Sequence, residues 1–388
     1  MSSIIEKDKT YVANTYARFP VEIVYGKGSN LYSPDGKKYI DMGSGIGVTA
    51  FGICDDEWKN AVISQLDKVQ HTSNLYYTSP CAELAELLCK KTGMKKVFFS
   101  NSGAESNECA IKVARQYGIE KKGADYTTVI TLKNSFHGRT LATLSATGQD
   151  VFHAKFLPMP SGFVHATAND IESVKTLVKT NKVCGILIEC VQGEGGVIAL
   201  EKDFVQGIEQ ICKENDIIFM IDEVQTGNGR TGELYAYMNY GVKPDVVTTA
   251  KGLGGGLPIG CCMMNEKTEK VLGFGDHGST YGGNPICASG AISVISRLDT
   301  EFLAQVKAKS KYIFDELNGA KGIESVSGLG LMVGIKTVKN AKDVVNECIN
   351  RGVICLTAKD KVRLLPALNI PKEDLEFAIQ TIKAVCAE

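Results

Sequence analysis

Two short apolar runs, each ending in a single charged residue, constrain this chain more than any other feature. Ile217-Ile218-Phe219-Met220-Ile221 is unbroken and β-rich, and Asp222 follows it. A strand apolar on every residue is covered on both faces, as in a parallel sheet, whereas alternation would mark one wet face. Asp245-Val246-Val247-Thr248-Thr249-Ala250 reads as another strand. It delivers Lys251 and then Gly252-Leu253-Gly254-Gly255-Gly256, backbone that can approach a flat ligand closely. Ligands of open α/β sheets bind outside the carboxyl ends of the strands, so both charges are predicted on the ligand edge.

For an arbitrary Asp and Lys, an ordinary strand-edge ion pair is the expected relationship. The pair also suits pyridoxal 5′-phosphate: a lysine forms a Schiff base with its aldehyde, and a carboxylate keeps the pyridine nitrogen protonated so that the ring can take up electrons. A buried Asp without such a cation would be left with an unpaired charge, which is costly.

The 388 residues, 44% hydrophobic and 22% charged, suffice for two or three domains with a large core. A formal net charge of -1, without a basic stripe or acidic tail, points to neither nucleic acid nor a membrane surface as partner. None of the thirteen cysteines is spaced CxxC, and Cys184, Cys190, Cys261 and Cys262 sit in apolar runs, so reduced thiols in a cytoplasmic protein are expected. Met1 to Thr10 is polar and charged, which predicts no leader, and no apolar run reaches a membrane span. The five histidines are dispersed, so no metal site is expected.

Along the chain, Gly26-Lys27-Gly28 and Pro34-Asp35-Gly36 mark the turns of a β-meander before Asp41. Gly43 to Gly47 is glycine-rich, more a turn than a phosphate cradle. Helical spacing covers Glu57 to Val69 and Cys81 to Lys91. Val97 to Ser100 then runs as a strand into Asn101-Ser102-Gly103-Ala104-Glu105, followed by an apolar helical face through Ala110, Ile111, Ala114 and Tyr117. Strand, small polar turn and helix start make an anion site. Ser102-x-x-Glu105 is equally a capping box, which would compete for the same amide donors.

Thr127 to Leu132 and Val183 to Ile188 are two further buried strands. The first ends near Phe136 and Arg139, an aromatic that can stack on a flat ring and a guanidinium that can grip a carboxylate. The second ends at Glu189 and leads to Gly193-Glu194-Gly195-Gly196. Gly227-Asn228-Gly229-Arg230-Thr231-Gly232 matches GxGxxG literally but does not join strand to helix, which argues against a dinucleotide site. A helix from Ile286 to Leu298 leads into amphipathic helices and short strands (Ile323 to Val326, Leu331 to Ile335, Val362 to Leu365) that carry Arg363 in an apolar context.

Taken together, NSGAE, FHGRT, QGEGG, DEVQTGNGRTG, AKGLGGGLPIG and HGSTYGGNP resemble, in order and nearly end to end, the class III aminotransferases of the ornithine and acetylornithine type. These are fold-type I pyridoxal-phosphate enzymes. The resemblance implies an α/β fold with a large, mostly parallel-sheet domain (46–290), a smaller α+β domain (291–388) and an N-terminal segment (1–45) packing with the smaller one.

Residue by residue, Lys251 is similar to the Schiff-base lysine and Asp222 to the pyridinium partner, with Glu223 beside it. Val224 and Phe136 would cover the two ring faces, Gln225 would lie near the ring hydroxyl, and Ser102, Gly103 and Ala104 would hold the phosphate. Thr280 resembles a residue that reaches the phosphate from the other subunit, which implies a homodimer with shared active sites. Arg139 looks like the arginine for the substrate carboxylate, with Tyr16 and the partner's Ser279 nearby. Glu194 and Arg363 resemble a pair in which the glutamate masks the arginine for one substrate and frees it for the other.

The function so implied is transfer of the distal amino group of N2-acetylornithine to 2-oxoglutarate, within arginine biosynthesis. Ornithine, 4-aminobutyrate and N-succinyl-diaminopimelate are alternative donors. A glutamate-semialdehyde aminomutase and a non-catalytic ligand-binding relative are the readings from other classes. The chain departs from the family pattern at Cys190, where a proline is usual, and at Gly52-Ile53-Cys54-Asp55-Asp56, where Gly-His-x-His-Pro is usual.

Overall fold

The computed structural model describes residues 4–388, so the first three residues of the expected N-terminal segment lie outside it. After a helix over Ile4–Tyr11 the meander forms: β1 (Tyr25–Lys27), β2 (Asn30–Tyr32) and β3 (Lys38–Asp41), paired antiparallel. Gly28, with φ of +59°, makes the first turn, in the left-handed region that favours glycine.

The main sheet follows. Its strands are β4 (Lys96–Ser100), β5 (Thr128–Leu132), β6 (Phe163–Ala166) and β7 (Val183–Ile188), then, past a small hairpin of β8 (Val191–Gln192) and β9 (Ile198–Ala199), β10 (Ile218–Asp222), β11 (Val246–Thr249) and β12 (Gly260–Met264). Their spatial order is β4-β12-β11-β10-β7-β5-β6. All neighbours are parallel except β12, which runs antiparallel to both β11 and β4. An apolar run records burial but not direction, so this reversal has no signature in the sequence.

Every residue of β7, β10, β11 and β12 is buried. At roughly 1.5–3 kcal/mol for each large aliphatic side chain fully removed from water, runs such as Ile218 to Ile221 hold these strands in the interior of the sheet. The helix Gly103–Lys122 lies against β7, β11 and β12, and its buried face includes Ala110, Ile111, Ala114 and Tyr117.

The last third holds β13 (Ile323–Leu329), β14 (Met332–Thr337), β15 (Val353–Ile354), β16 (Leu356–Ala358) and β17 (Lys361–Leu364). A second sheet runs β13-β14-β17-β16, while β15 joins the N-terminal meander in parallel beside β3. The first and last parts of the chain therefore share one sheet. All thirteen cysteines are free thiols, ten of them buried, and no described helix is long and apolar enough to cross a membrane.

Candidate active site

β10 and β11 are neighbours, with Asp222 in register with Thr248, three residues before Lys251. Both charged residues line one cavity of about 480 Å³ at the carboxyl edge of the sheet. They do not form the ion pair that a strand-edge Asp and Lys would ordinarily make. Asp222, 3% exposed, takes its hydrogen bonds elsewhere. Oδ1 accepts from the Val224 amide at 2.9 Å, and Oδ2 accepts from Asn107 Nδ2 at 2.7 Å and lies 2.8 Å from His137 Nδ1. The tautomer with the proton on Nδ1 donates to this carboxylate; Nε2 is buried without a partner. Asn107 is fixed in turn by Thr248 Oγ1, which donates to its Oδ1 at 2.6 Å, and by its own donation to the His137 carbonyl at 2.8 Å.

Lys251 opens a single 3-10 turn (Lys251–Gly254) with φ of +45°. The left-handed conformation costs a non-glycine residue about 1–2 kcal/mol, strain that the surrounding structure must hold. Its Nζ has no hydrogen-bond partner among the described residues. Burial lowers the ammonium pKa below the usual lysine value, against the raising influence of Glu194, Asp222 and Glu189 and together with the lowering influence of Arg363. A lysine biased towards the free amine is the form that can act as nucleophile or base.

Opposite lies the start of the helix Gly103–Lys122. Ser102 Oγ accepts from the Glu105 amide at 3.2 Å, and Glu105 Oε2 accepts from the Asn101 amide at 2.6 Å. A variant of the capping box therefore forms, in which Glu105 reaches past the N-cap Ser102 to the amide of Asn101, yet the competition expected from the sequence is avoided. The box occupies the amides of residues 101 and 105 and leaves those of Gly103 and Ala104 without an acceptor, beside the cavity. A Cβ on Gly103 would stand 2.6 Å from Val224 Cγ1, so only glycine lets Val224 and this turn approach so closely.

Phe136 lines the cavity, with its amide donating to Glu189 Oε1 at 2.8 Å. Glu189 Oε2 accepts from the Gly193 amide at 3.3 Å. Burial pushes the Glu189 carboxyl up to about 7; His137 opposes this and Asp222 adds to it.

Gln225 leads out of the cavity to an ion pair between a buried arginine and a part-exposed glutamate. Arg363 Nη1 donates to Glu194 Oε1 at 2.5 Å, and longer contacts of 3.4 Å link both side chains to the Gln225 amide. Arg363 Nε is buried without a partner. Burial is the largest single influence and would raise the Glu194 pKa, but the charge and hydrogen bond of Arg363, together with Lys251 and Gln225, outweigh it and the net shift is downward.

Of the residues singled out in the sequence, Ser102, Gly103, Ala104, Phe136, Arg139, Asp222, Val224, Gln225 and Lys251 share the cavity wall. Glu223 does not: its carboxylate accepts from Thr226 Oγ1 at 2.6 Å and the Tyr237 amide at 2.8 Å, and burial pushes its pKa up to about 7. Tyr16 is 74% exposed. Thr280 is exposed on a second concave surface with His71 and Tyr77, and Ser279 Oγ accepts from Asn101 Nδ2 at 3.1 Å. The Gly43-to-Gly47 segment is a helical turn with Gly45 and Ile46 left-handed, and Val48 after it lines the cavity. Asn107, His137 and Glu189 were not picked out as site residues from the sequence, although each sits in or beside a motif that was.

The class-III aminotransferase family profile matches residues 11–386. This chain is a class III aminotransferase. The enzyme is 47% identical over 387 residues to the acetylornithine aminotransferase of Haemophilus ducreyi, covering 99% of this chain and 98% of that protein. It is 41% identical to the acetylornithine aminotransferase of Methanocaldococcus jannaschii, again over 99% and 98%. Among solved structures, the N-acetylornithine aminotransferase of Stenotrophomonas maltophilia superposes with a TM-score of 0.86 at 31% identity, over 99% of this chain and 98% of that one. The ornithine aminotransferase of Toxoplasma gondii does so with 0.94 at 27%, over 99% and 93%.

Aminotransferases of this class depend on pyridoxal phosphate. The donor set in this aminotransferase fits that cofactor: two free amides at a helix start for a phosphate, a buried carboxylate for a ring nitrogen, an aromatic for a ring face and an unpartnered lysine amine.

Proposed function

We propose that this aminotransferase moves the distal amino group of N2-acetylornithine to 2-oxoglutarate, giving N-acetylglutamate 5-semialdehyde and glutamate, a step of arginine biosynthesis. The observation that carries the reading is the placing of Asp222, Lys251 and the free Gly103 and Ala104 amides around one cavity, in a chain 40–47% identical end to end to proteins named acetylornithine aminotransferase.

Gly103 and Ala104 amides, with Ser102, would hold the phosphate, Asp222 the ring nitrogen's proton, and Val224 and Phe136 the two ring faces. When bound, pyridoxal phosphate supplies an aldehyde that takes up the amino group and a cationic ring that stores the electron pair released at the substrate carbon. Lys251 Nζ takes the proton from the carbon that bears the transferred amine, a task suited to an amine whose pKa burial has lowered. Arg139 grips the donor carboxylate. Glu194 neutralises Arg363 while the donor's uncharged chain lies beside it, then releases it for the carboxylate of 2-oxoglutarate.

Two copies would complete the site, with the partner subunit's Thr280 and the partner subunit's Ser279 reaching across. Residues 46–290 would form the cofactor-binding domain and 291–388 a smaller α+β domain, with the N-terminal segment 1–45 packing against the smaller one. The test is a donor panel with 2-oxoglutarate, reading glutamate formed. N2-acetylornithine should give the highest kcat/KM; ornithine is the second reading, favoured by the TM-score of 0.94 to an ornithine aminotransferase. Glutamate from no donor, or amino-group migration within glutamate semialdehyde without 2-oxoglutarate, would overturn the assignment.

A further inference from the structure

Arg139 has no hydrogen bond and no ion pair among the described residues, although it is the guanidinium nearest to Phe136. The side chain is exposed to solvent, and the contacts it does make are aromatic. Its Cζ stands 5.4 Å from the centroid of Phe136 and 4.5 Å from that of Phe152, and the two rings meet nearly at right angles with centroids 6.0 Å apart. Phe136 is already committed to the cofactor's ring face, so Phe152 is the ring left to the arginine.

Phe152 ends a 3-10 turn over Asp150–Phe152. That turn is bound to the loop that carries Arg139. The Asn134 amide donates to the Gly148 carbonyl at 2.7 Å, the Gly148 amide to Ser135 Oγ at 3.1 Å, and Gln149 Nε2 to the Ser135 carbonyl at 3.0 Å. Ring and guanidinium therefore ride on one hydrogen-bonded unit.

We propose that Phe152 is the positioning residue of Arg139: it holds the guanidinium through its ring face and leaves the planar fork of N–H donors free for the donor's carboxylate. An acidic neighbour could also restrain the side chain, but it would occupy the fork and neutralise the charge. A ring face attracts the cation without taking up a donor. Restraining the long side chain beforehand removes ordering entropy from the binding step, so the benefit appears in substrate affinity rather than in the chemical step. The proposal rests on Arg139 being the carboxylate-gripping residue of the function proposed above.

Replacing Phe152 by leucine keeps an apolar side chain of similar volume but removes the ring. With the loaded enzyme, F152L should raise the KM for N2-acetylornithine about 2- to 5-fold, the effect of losing one cation-π contact at an exposed site, with kcat unchanged. F152Y, which keeps the ring, should restore the parent KM. N-acetyl-1,4-diaminobutane is the same donor without its carboxylate, and its Ki as a competitor should be unchanged in F152L.

Arg139→Ala is the control. If R139A raises the KM and F152L does not, Phe152 has no positioning role while the assignment of Arg139 stands. If R139A leaves the KM unchanged, the assignment of Arg139 fails and the proposal with it. A rise in F152L that extends equally to the Ki of the carboxylate-free competitor, or that F152Y does not reverse, overturns the proposal as well.

Discussion

Glu194 and Arg363 form an ion pair whose two side chains are unequally buried: the guanidinium is 4% exposed and the carboxylate 30%. Arg363 is fixed within β17, between Leu356 of β16 and Gly334 of β14. The glutamate follows a glycine in a turn. Of the two, Glu194 is the partner that can move, and its movement would leave a buried cation ready for an incoming anion.

Glu194→Gln removes the charge that masks Arg363 and keeps the shape. The ratio of kcat/KM for 2-oxoglutarate to that for N2-acetylornithine should shift towards the dicarboxylate by about tenfold, equivalent to some 1.4 kcal/mol of lost masking. Steady-state kinetics of both half-reactions measure it. An unchanged ratio would remove the pair from substrate selection.

Asn107 connects Asp222, Thr248 and the His137 carbonyl, so Asn107→Leu strips a donor from a buried carboxylate and leaves Thr248 Oγ1 without its acceptor. About 1–3 kcal/mol of stability should be lost, the cost of unsatisfied buried groups. Pyridoxal phosphate, followed by fluorescence titration of the cofactor-free protein, should bind at least about tenfold more weakly, because Asp222 is no longer held in place. Unchanged affinity would mean that Asp222 keeps its place without this network.

Gly103→Ala puts a methyl group against Val224, which must then give way into the cavity. The melting temperature should move little, since the helix start stays capped through Ser102 and Glu105, while cofactor affinity falls by about tenfold or more. Parent-like affinity would show that the close approach of Gly103 to Val224 is not needed for binding.

The pH dependence of stability carries a sign set by Glu189. Its carboxyl would lose a proton near 4.5 in the unfolded chain but, chiefly through burial, holds it to about 7 in the folded one. Between those values the folded state binds more protons, so this group's contribution to stability falls as pH rises and levels off above about 7. Thermal melts of cofactor-free Glu189→Gln between about pH 5 and 7.5 should therefore decline less steeply than those of the parent. Parallel curves would place the Glu189 carboxyl outside the titrating set.

Much of this was legible in the residues, for a physical reason. Strands covered on both faces are mostly apolar and uncharged, so Asp222 and Lys251 stood out as the first charges after such runs, and β10 and β11 form with nearly the expected limits. Motifs that resemble a known family suggested the roles proposed for Phe136, Val224 and Glu194. Hidden from view were Asn107 and His137, because a polar residue in a helix or loop carries no periodic signal until its partner on another strand is placed beside it. The sequence also posed capping box and anion site as rivals at Ser102, a conflict that disappears once it is known which amides the box consumes.

The central claim is that Lys251 and Asp222 face one cofactor. Reduction of the pyridoxal-phosphate-loaded enzyme with borohydride, followed by peptide mapping, tests it most directly. The pyridoxyl group is expected on Lys251, with both label and turnover absent from a folded Lys251→Gln variant. Label on another lysine, or transamination that survives the substitution, would contradict it.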